Sequence, residues 1–505
     1  MPLAPPLPGG ERSDREAIRV RGQELFESHS PPHPDPLPAA GERERAEFLA
    51  TSVPEPDTVT HQASPRAIVG WVLFDWATQP FFTLVTTFVY APYFAASVVA
   101  DPVEGQALWG YAKGAAGLAI ALLSPVLGAI ADAAGRRKPW IAAFGALLFV
   151  GSAALWWGKP GEGAVLVLVA FAVASIGAEF ATVFNNAMMP YLVPRQRLGR
   201  LSGTGWATGY VGGLVSLLLV LGFLAASAQT GKTLLGLTPL FGLDPTLREG
   251  DRITGPLSAL WFAVFVLPMF LFTPDHPGRL PWRPAVGSGV RMLGDTLCRL
   301  PHHRDAALFL VAYMIAADGL VALFAFGGIY AAGAFGWGTI EIGVFGIVLT
   351  ITGTIGAYVG GLLDDRLGPK PVVLGSLVIL IGATSAILLI EPDYVPVIGA
   401  VAPPSGGGLY AAAAERAFLA LGMIMGLASG PLQAAARTLL VRLAPTDRVT
   451  QFFGLFALSG KVTSFLGPFL VGVVTAATQS QKAGMAVLVG FFVVGAALLW
   501  RVRAP

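Results

Sequence analysis

Six ionisable side chains lie inside long apolar stretches of this chain: Asp75, Lys113, Glu179, Asp318, Arg437 and Lys461. At the centre of a bilayer such a charge costs at least about 2.5–3.5 kcal/mol on insertion scales. Side chains that costly face a wet cavity or one another, not lipid. Acids and bases are both present, so the set suits a solute carrying charge of both signs. Asp75 or Asp318 would hold an ammonium group, and Arg437 would grip a carboxylate with its planar fork. A desolvated carboxylate such as Asp318 or Glu179 is also suited to carrying a proton. The competing reading is structural: an ion-pair network that latches two parts of the protein together. Lys113 stands only a turn into its segment and reads as snorkelling to the interface.

Spacing adds neutral partners. Gln79 stands four residues after Asp75 and Gln433 four before Arg437, so each pair shares a helix face. Glu179 and Asn186, seven apart, share another, with Asn185 beside them. Enzyme signatures are missing: there is no phosphate-cradling glycine loop, zinc spacing or nucleophile elbow. The single cysteine, Cys298, allows no internal disulfide and joins no metal-ligand cluster. We therefore expect no catalysis, cofactor, metal or nucleic-acid partner. Without a nucleotide-binding motif, transport would run on an ion or solute gradient.

The elements that must position these residues are apolar helices. The chain is 54% hydrophobic and 13% charged, where a soluble domain has about 25% charged residues. From Ile68 onward, twelve segments approach bilayer-spanning length. They cover 68–98, 107–130, 139–157, 164–189, 203–226, 255–273, 306–333, 340–363, 371–390, 416–442, 452–477 and 483–501. Helices are expected, because lipid offers the backbone no partners and no alternation marks a barrel. Numbered in order, helices 1, 4, 7 and 10 carry Asp75, Glu179, Asp318 and Arg437, and helix 11 carries Lys461.

Basic residues set the orientation. After Ile68, loops on one side hold seventeen Lys and Arg, among them Arg136, Arg137, Arg279, Arg366 and Arg448, and loops on the other hold six. The rich side is expected to be cytoplasmic, with both termini there. Residues 274–305 then form a cytoplasmic linker between a six-helix bundle over 66–273 and a second over 306–505. At 1.5 Å per residue, Asp75 lies roughly 10 Å, Arg437 roughly 9 Å and Lys461 roughly 13 Å from the cytoplasmic end, and Asp318 roughly 18 Å.

The two halves repeat each other. Gly128, Asp132, Gly135, Arg136, Arg137 and Lys138 follow helix 2. Gly361, Asp365, Gly368 and Lys370, with Arg366 beside them, recur 233 residues later after helix 8. A second repeat has an offset of 251: Pro194 with Pro445, Gly203 with Gly454, Gly209 with Gly460, Val211 with Val462. Duplicated membrane halves read as a transporter with its site between them. In the paired loops the glycines allow close helix packing. Asp132 and Asp365 are placed to accept from a neighbouring helix N-terminus, which makes these motifs gating parts.

Residues 1–65 differ from the rest. They are rich in Pro, Glu and Arg, and Pro6-Leu-Pro-Gly-Gly-Glu-Arg12 is echoed by Pro36-Leu-Pro-Ala-Ala-Gly-Glu-Arg43. Such composition cannot bury enough apolar surface to fold. We expect a disordered extension belonging to an over-called start, with a regulatory tail as the alternative.

The loop motifs resemble those between helices 2 and 3 and helices 8 and 9 of the major facilitator superfamily. Further motifs resemble its vacuole-effluxer (autophagy-related amino-acid effluxer) family. These are Trp71-Val-Leu-Phe-Asp75-Trp76-Ala77, Phe184-Asn185-Asn186-Ala187-Met188-Met189-Pro190 and Leu201-Ser202-Gly203-Thr204-Gly205-Trp206-Ala207-Thr208-Gly209-Tyr210. Asp318-Gly319, Gln433-Ala434 with Arg437, Phe452-Phe453-Gly454 and Leu458-Ser459-Gly460-Lys461 complete the set, which spans residues 68–501. Asn185 replaces a usual aromatic, and Ala435-Ala436 replaces a Leu-Ser pair. The resemblance implies an all-α membrane protein of two pseudo-symmetric six-helix bundles, with helices 1, 4, 7 and 10 lining the cavity.

The expected function is secondary transport of a small polar metabolite, foremost an amino acid, with export preferred and proton coupling an option. The site candidates are Asp75, Gln79, Glu179, Asn185, Asn186, Asp318, Gln433, Arg437 and Lys461. The expected setting is a monomer in the bacterial inner membrane. A sugar or drug exporter of the same superfamily, or a non-transporting sensor or scaffold, is the alternative. Deleting residues 1–65 separates the last of these: a transporter keeps its flux, whereas a scaffold acting through its tail loses its phenotype.

Overall fold

The computed structural model describes residues 63–99, 102–226, 230–299, 303–335, 337, 339–391, 393–396, 398–401, 410–464 and 466–503. The Pro-rich segment read over 1–65 falls, but for its last three residues, outside the described residues.

Among the described residues, eleven helices are long and apolar enough to cross a membrane, and a twelfth, helix 11, is built from two shorter apolar pieces. Helix 1 spans Pro65–Val98, helix 2 Leu108–Ala134, helix 3 Lys138–Trp157, helix 4 Ala164–Tyr191, helix 5 Arg195–Leu224 and helix 6 Glu249–Phe272. Helix 7 spans Arg304–Gly328, helix 8 Glu341–Leu367, helix 9 Pro369–Leu388, helix 10 Ala413–Leu443 and helix 12 Gln481–Trp500. Helix 11 is in two pieces, Val449–Val462 and Leu466–Thr478. Leu118, Leu122, Val165 and Val169 stay exposed, as they must on a face that meets acyl chains.

Prolines shape the helices at their functional ends. Pro80 has no N–H for the Trp76 carbonyl one turn back. That carbonyl accepts from the Trp261 indole at 3.1 Å instead, and the chain continues as the π-helical turns Phe81–Phe88. Pro431 likewise frees the Leu427 carbonyl, and helix 8 passes it at Gly356, where no β-carbon fits. Helix 6 is divided before Pro268, into Thr254–Phe265 and Leu267–Phe272.

The linker read from the sequence as a connection contains a helix, Trp282–Arg299. Its Gly289 presses on the Ile130 backbone of helix 2. Thr296 donates to the Gln451 side chain of helix 11 at 3.2 Å and accepts from Arg448. Upstream, Asp275 accepts from the Arg137 and Lys138 amides and so caps helix 3. The linker therefore binds both halves at their Lys/Arg-rich end.

The halves meet through two equivalent contacts. A β-carbon on Gly128 of helix 2 would lie 2.6 Å from the Thr450 carbonyl of helix 11, and one on Gly454 would overlap the Ser124 carbonyl. A β-carbon on Gly361 of helix 8 would lie 2.5 Å from the Gly199 carbonyl of helix 5, and one on Gly203 would overlap the Ala357 carbonyl. The offsets of 233 and 251 residues map one contact onto the other. Small residues are what allow membrane helices this close. Gly454→Val removes that approach. It should leave insertion intact and lower flux at least about tenfold, a loss of about 1.4 kcal/mol in the limiting step. Wild-type flux in reconstituted vesicles would show the close approach to be dispensable.

Candidate functional site

Arg437, on helix 10, is 4% exposed and reaches across to the other bundle. Its Nε donates to Ser202 Oγ at 3.0 Å and its Nη2 to the Ser202 carbonyl at 2.7 Å, both on helix 5. Its Nη1 donates to Asn186 Oδ1 on helix 4 at 3.0 Å and to Asp75 Oδ2 on helix 1 at 3.4 Å. The indole rings of Trp71 and Trp206 flank the guanidinium, 5.8 and 5.4 Å from their centroids. One side chain of the second half thus holds three helices of the first. Breaking a buried pair of this kind typically costs about 3–5 kcal/mol, because one charge is left unanswered.

The surrounding groups fix the geometry. The Trp71 indole donates to the Asn185 carbonyl at 2.7 Å, locking helix 1 to helix 4. Ser202 Oγ donates to the Ala434 carbonyl at 2.7 Å, which turns its lone pairs toward Arg437. Gln433 donates to the Tyr210 hydroxyl at 2.9 Å. Asn186 and Arg437 are themselves related by the offset of 251, so their bond lies on the pseudo-symmetry between the halves.

The structure brings Asp75, Asn186, Gln433 and Arg437 together. Gln79 stands one turn beyond Asp75, half-buried against Gly209 and Gly213 of helix 5. Glu179 is half-buried two turns from Asn186. The Asn185 amide points elsewhere; it is fully buried, and neither of its polar atoms has a partner among the described residues. The Lys461 side chain lies outside the described residues. Asp318 is not joined to the cluster and faces helix 11 instead. Lys113 is exposed.

Ser202, Trp71, Trp206, Tyr210 and Tyr313 belong around Arg437 but were not singled out from the sequence as site residues. Hydroxyls and indoles carry no large insertion cost, so a search for costly charges passes them by. For all but Tyr313, the available signal was their place inside the quoted motifs.

The loop motifs close the Lys/Arg-rich end. Asp132, 2% exposed, accepts from the Thr450 and Gln451 amides at 3.2 and 2.7 Å. These are the free N–H groups that begin helix 11. Arg137 completes the site, with Nη2 2.6 Å from Asp132 Oδ1. Asp365 does the same for helix 5, accepting from the Arg200 amide at 3.0 Å. Gly135 and Gly368 end helices 2 and 8 with φ of 89° and 85°, a backbone region that disfavours other residues. Arg136 and Arg366 are exposed. Lys138 donates to the Phe270 carbonyl at 2.8 Å.

The second half has an addition. Asp364 stands where the first has Ala131, accepts from Thr438, and lies 3.8 Å from Arg442. Outside the bilayer segments, His276 of the linker packs edge-on to Tyr191 at 4.7 Å, and burial holds its imidazole below the ordinary histidine range.

Comparison with known proteins agrees with this architecture. The profile of the vacuole effluxer Atg22-like family matches residues 95–505. An uncharacterized MFS-type transporter, YxiO of Bacillus subtilis (strain 168), is 26% identical over 437 residues, 85% of this chain and 93% of that protein. Autophagy-related protein 22-2 of Aspergillus clavatus is 26% identical over 296 residues, 55% of this chain and 43% of the fungal protein. Among solved structures, the major facilitator transporter FucP in its outward conformation superimposes with a TM-score of 0.64 at 14% identity. It covers 87% of this chain and 99% of that one, a likeness of fold. Two repeated six-helix bundles, locked by glycine contacts and by acids on helix N-termini, and a profile spanning most of the chain lead to one conclusion: this multi-pass membrane protein is a major facilitator superfamily transporter that belongs to the vacuole effluxer Atg22-like family.

Proposed function

We propose that the chain is a secondary active transporter that moves an amino acid, outward from the cell, by alternating access. The observation that carries this reading is the buried Arg437–Asp75 pair between the halves. Each member answers one charge of a zwitterion. Arg437 is shaped for a carboxylate, and Asp75 accepts from an ammonium.

In the state described, the pair closes on itself and holds the halves together at the Lys/Arg-rich end. A zwitterion entering between them offers each charge a replacement partner. The clamp then opens without leaving either charge bare in a dry site. Latch and substrate site become two states of one cluster. The helix 2–helix 11 and helix 5–helix 8 contacts are the gates that part when it opens. Gln79, Glu179 and Gln433, half-buried nearby, supply neutral and acidic contacts for the rest of the solute.

The positive side is taken as cytoplasmic, with both termini there, in a bacterial inner membrane. The effluxer description of the family supports export. The protein is taken to work as a monomer, since the cluster is complete within one chain.

The test is counterflow of a mixed pool of labelled amino acids in proteoliposomes, with and without a pH gradient. One or a few amino acids should exchange. Arg437→Lys, which keeps the charge but loses the fork, should reduce that exchange at least about tenfold. Silence across the whole pool with correctly inserted protein would remove amino acids as the substrate.

A further inference from the structure

Asp318 is the deep acid that the central cluster does not use. Tyr313, five residues earlier on helix 7, lies within electrostatic reach of Arg437. Five residues turn a helix through roughly 140°, so Asp318 leaves on another side. It is 1% exposed. There it meets the interruption of helix 11 at Thr463 and Ser464, after Val462. The Thr463 hydroxyl faces the carboxylate. The first turn of the second piece presses on Asp318 itself, since a β-carbon at Gly467 would overlap the Asp318 carbonyl. Neither Asp318 Oδ1 nor Thr463 Oγ1 has a well-aligned hydrogen-bond partner among the described residues. A buried carboxylate oxygen left unanswered is costly.

We propose that Asp318, facing the interruption in helix 11, is the proton-binding site that couples transport to the proton gradient, and that it is separate from the Asp75–Arg437 pair. This rests on the transporter reading above and names its driving ion. Uptake places one proton on Oδ1 and turns the carboxylate into a carboxyl group; release returns the charge. A hydroxyl such as that of Thr463 suits both states, since it is able to donate to a carboxylate and to accept from a carboxyl O–H.

The surroundings favour a proton over a larger cation. The second piece of helix 11 has no ionisable residue. Helix 12 has Lys482 at one end and none in its interior. Helix 10 directs Arg437 to Asp75. The first piece of helix 11 carries Lys461, whose side chain is outside the described residues. A proton needs one acceptor, and among the described residues the site presents a single acid.

The interruption gives coupling a mechanical route. The first piece of helix 11 is the segment whose N-terminal amides bind Asp132. Charge on Asp318 at one end of this 14-residue piece therefore bears on the gate at the other.

The test is N,N′-dicyclohexylcarbodiimide, an apolar reagent that modifies protonated carboxyl groups, applied to the full chain in proteoliposomes. Mass spectrometry of the Asp318 peptide should find the adduct at acid pH. Past the midpoint it should fall about tenfold per pH unit, indifferent to sodium. Thr463→Val should shift the midpoint while the adduct remains. In Asp318→Asn the adduct should vanish, and accumulation driven by a pH gradient should drop to the level seen without one. No adduct at any pH, protection by sodium ions, or wild-type flux indifferent to the gradient would overturn the assignment. Labelling needs no substrate, so silence in the amino-acid assay leaves this part of the result intact.

Discussion

A guanidinium taken out of water must have its donors answered, and Arg437 finds its answers on the other half of the molecule. Asp75, Asn186 and Ser202 come from three helices of the first bundle, so burying this one charge ties the bundles together. Much of the rest serves that contact. The Trp71 and Trp206 rings flank it, Ser202 is oriented by the Ala434 carbonyl, and Gly205 leaves room for the Asp75 carboxylate. A contact that strong is useful in a moving protein only if something can substitute for it. In the proposed transport cycle a charged solute meets that requirement.

The two outer contacts show how duplication becomes mechanism. Each pairs a glycine-bearing helix of one half with a glycine-bearing helix of the other, and each sets an aspartate on the exposed amides at a helix start. In the proposed cycle their equivalence would let them open together. They are not identical: Asp364, Thr438 and Arg442 reinforce the second, while the linker helix braces the first through Gln451 and Arg448. The membrane helices are also not uniform rods. Pro80, Pro268 and Pro431 and the break after Val462 leave carbonyls and amides to be satisfied by neighbours. In a solvent without hydrogen bonds this forces the irregular backbone into the protein's interior.

Much of this was legible in the residues. Twelve apolar segments, the duplicated glycine–aspartate loops and the deep charges of both signs follow from the cost of placing polar groups in lipid, and that cost is local. So Asp75 and Arg437 stood out, and their depths along helices 1 and 10 already allowed them to meet. Asp132 and Asp365 were readable as partners for helix N-termini. The helix in the linker, the break in helix 11 and the roles of Ser202 and Tyr210 were not. Each depends on a neighbour supplied by a distant part of the chain.

The sequence alone determined what must be buried, how often the chain crosses the membrane and which residues repeat, because these follow from side-chain chemistry against one fixed solvent. Only the tertiary structure decided which charge answers which. Asp75 and Asp318 are alike in the sequence, both acids inside apolar helices. Helix rotation sends one to Arg437 and the other to the broken helix 11, and rotation is fixed by packing among all the helices rather than by the residue itself.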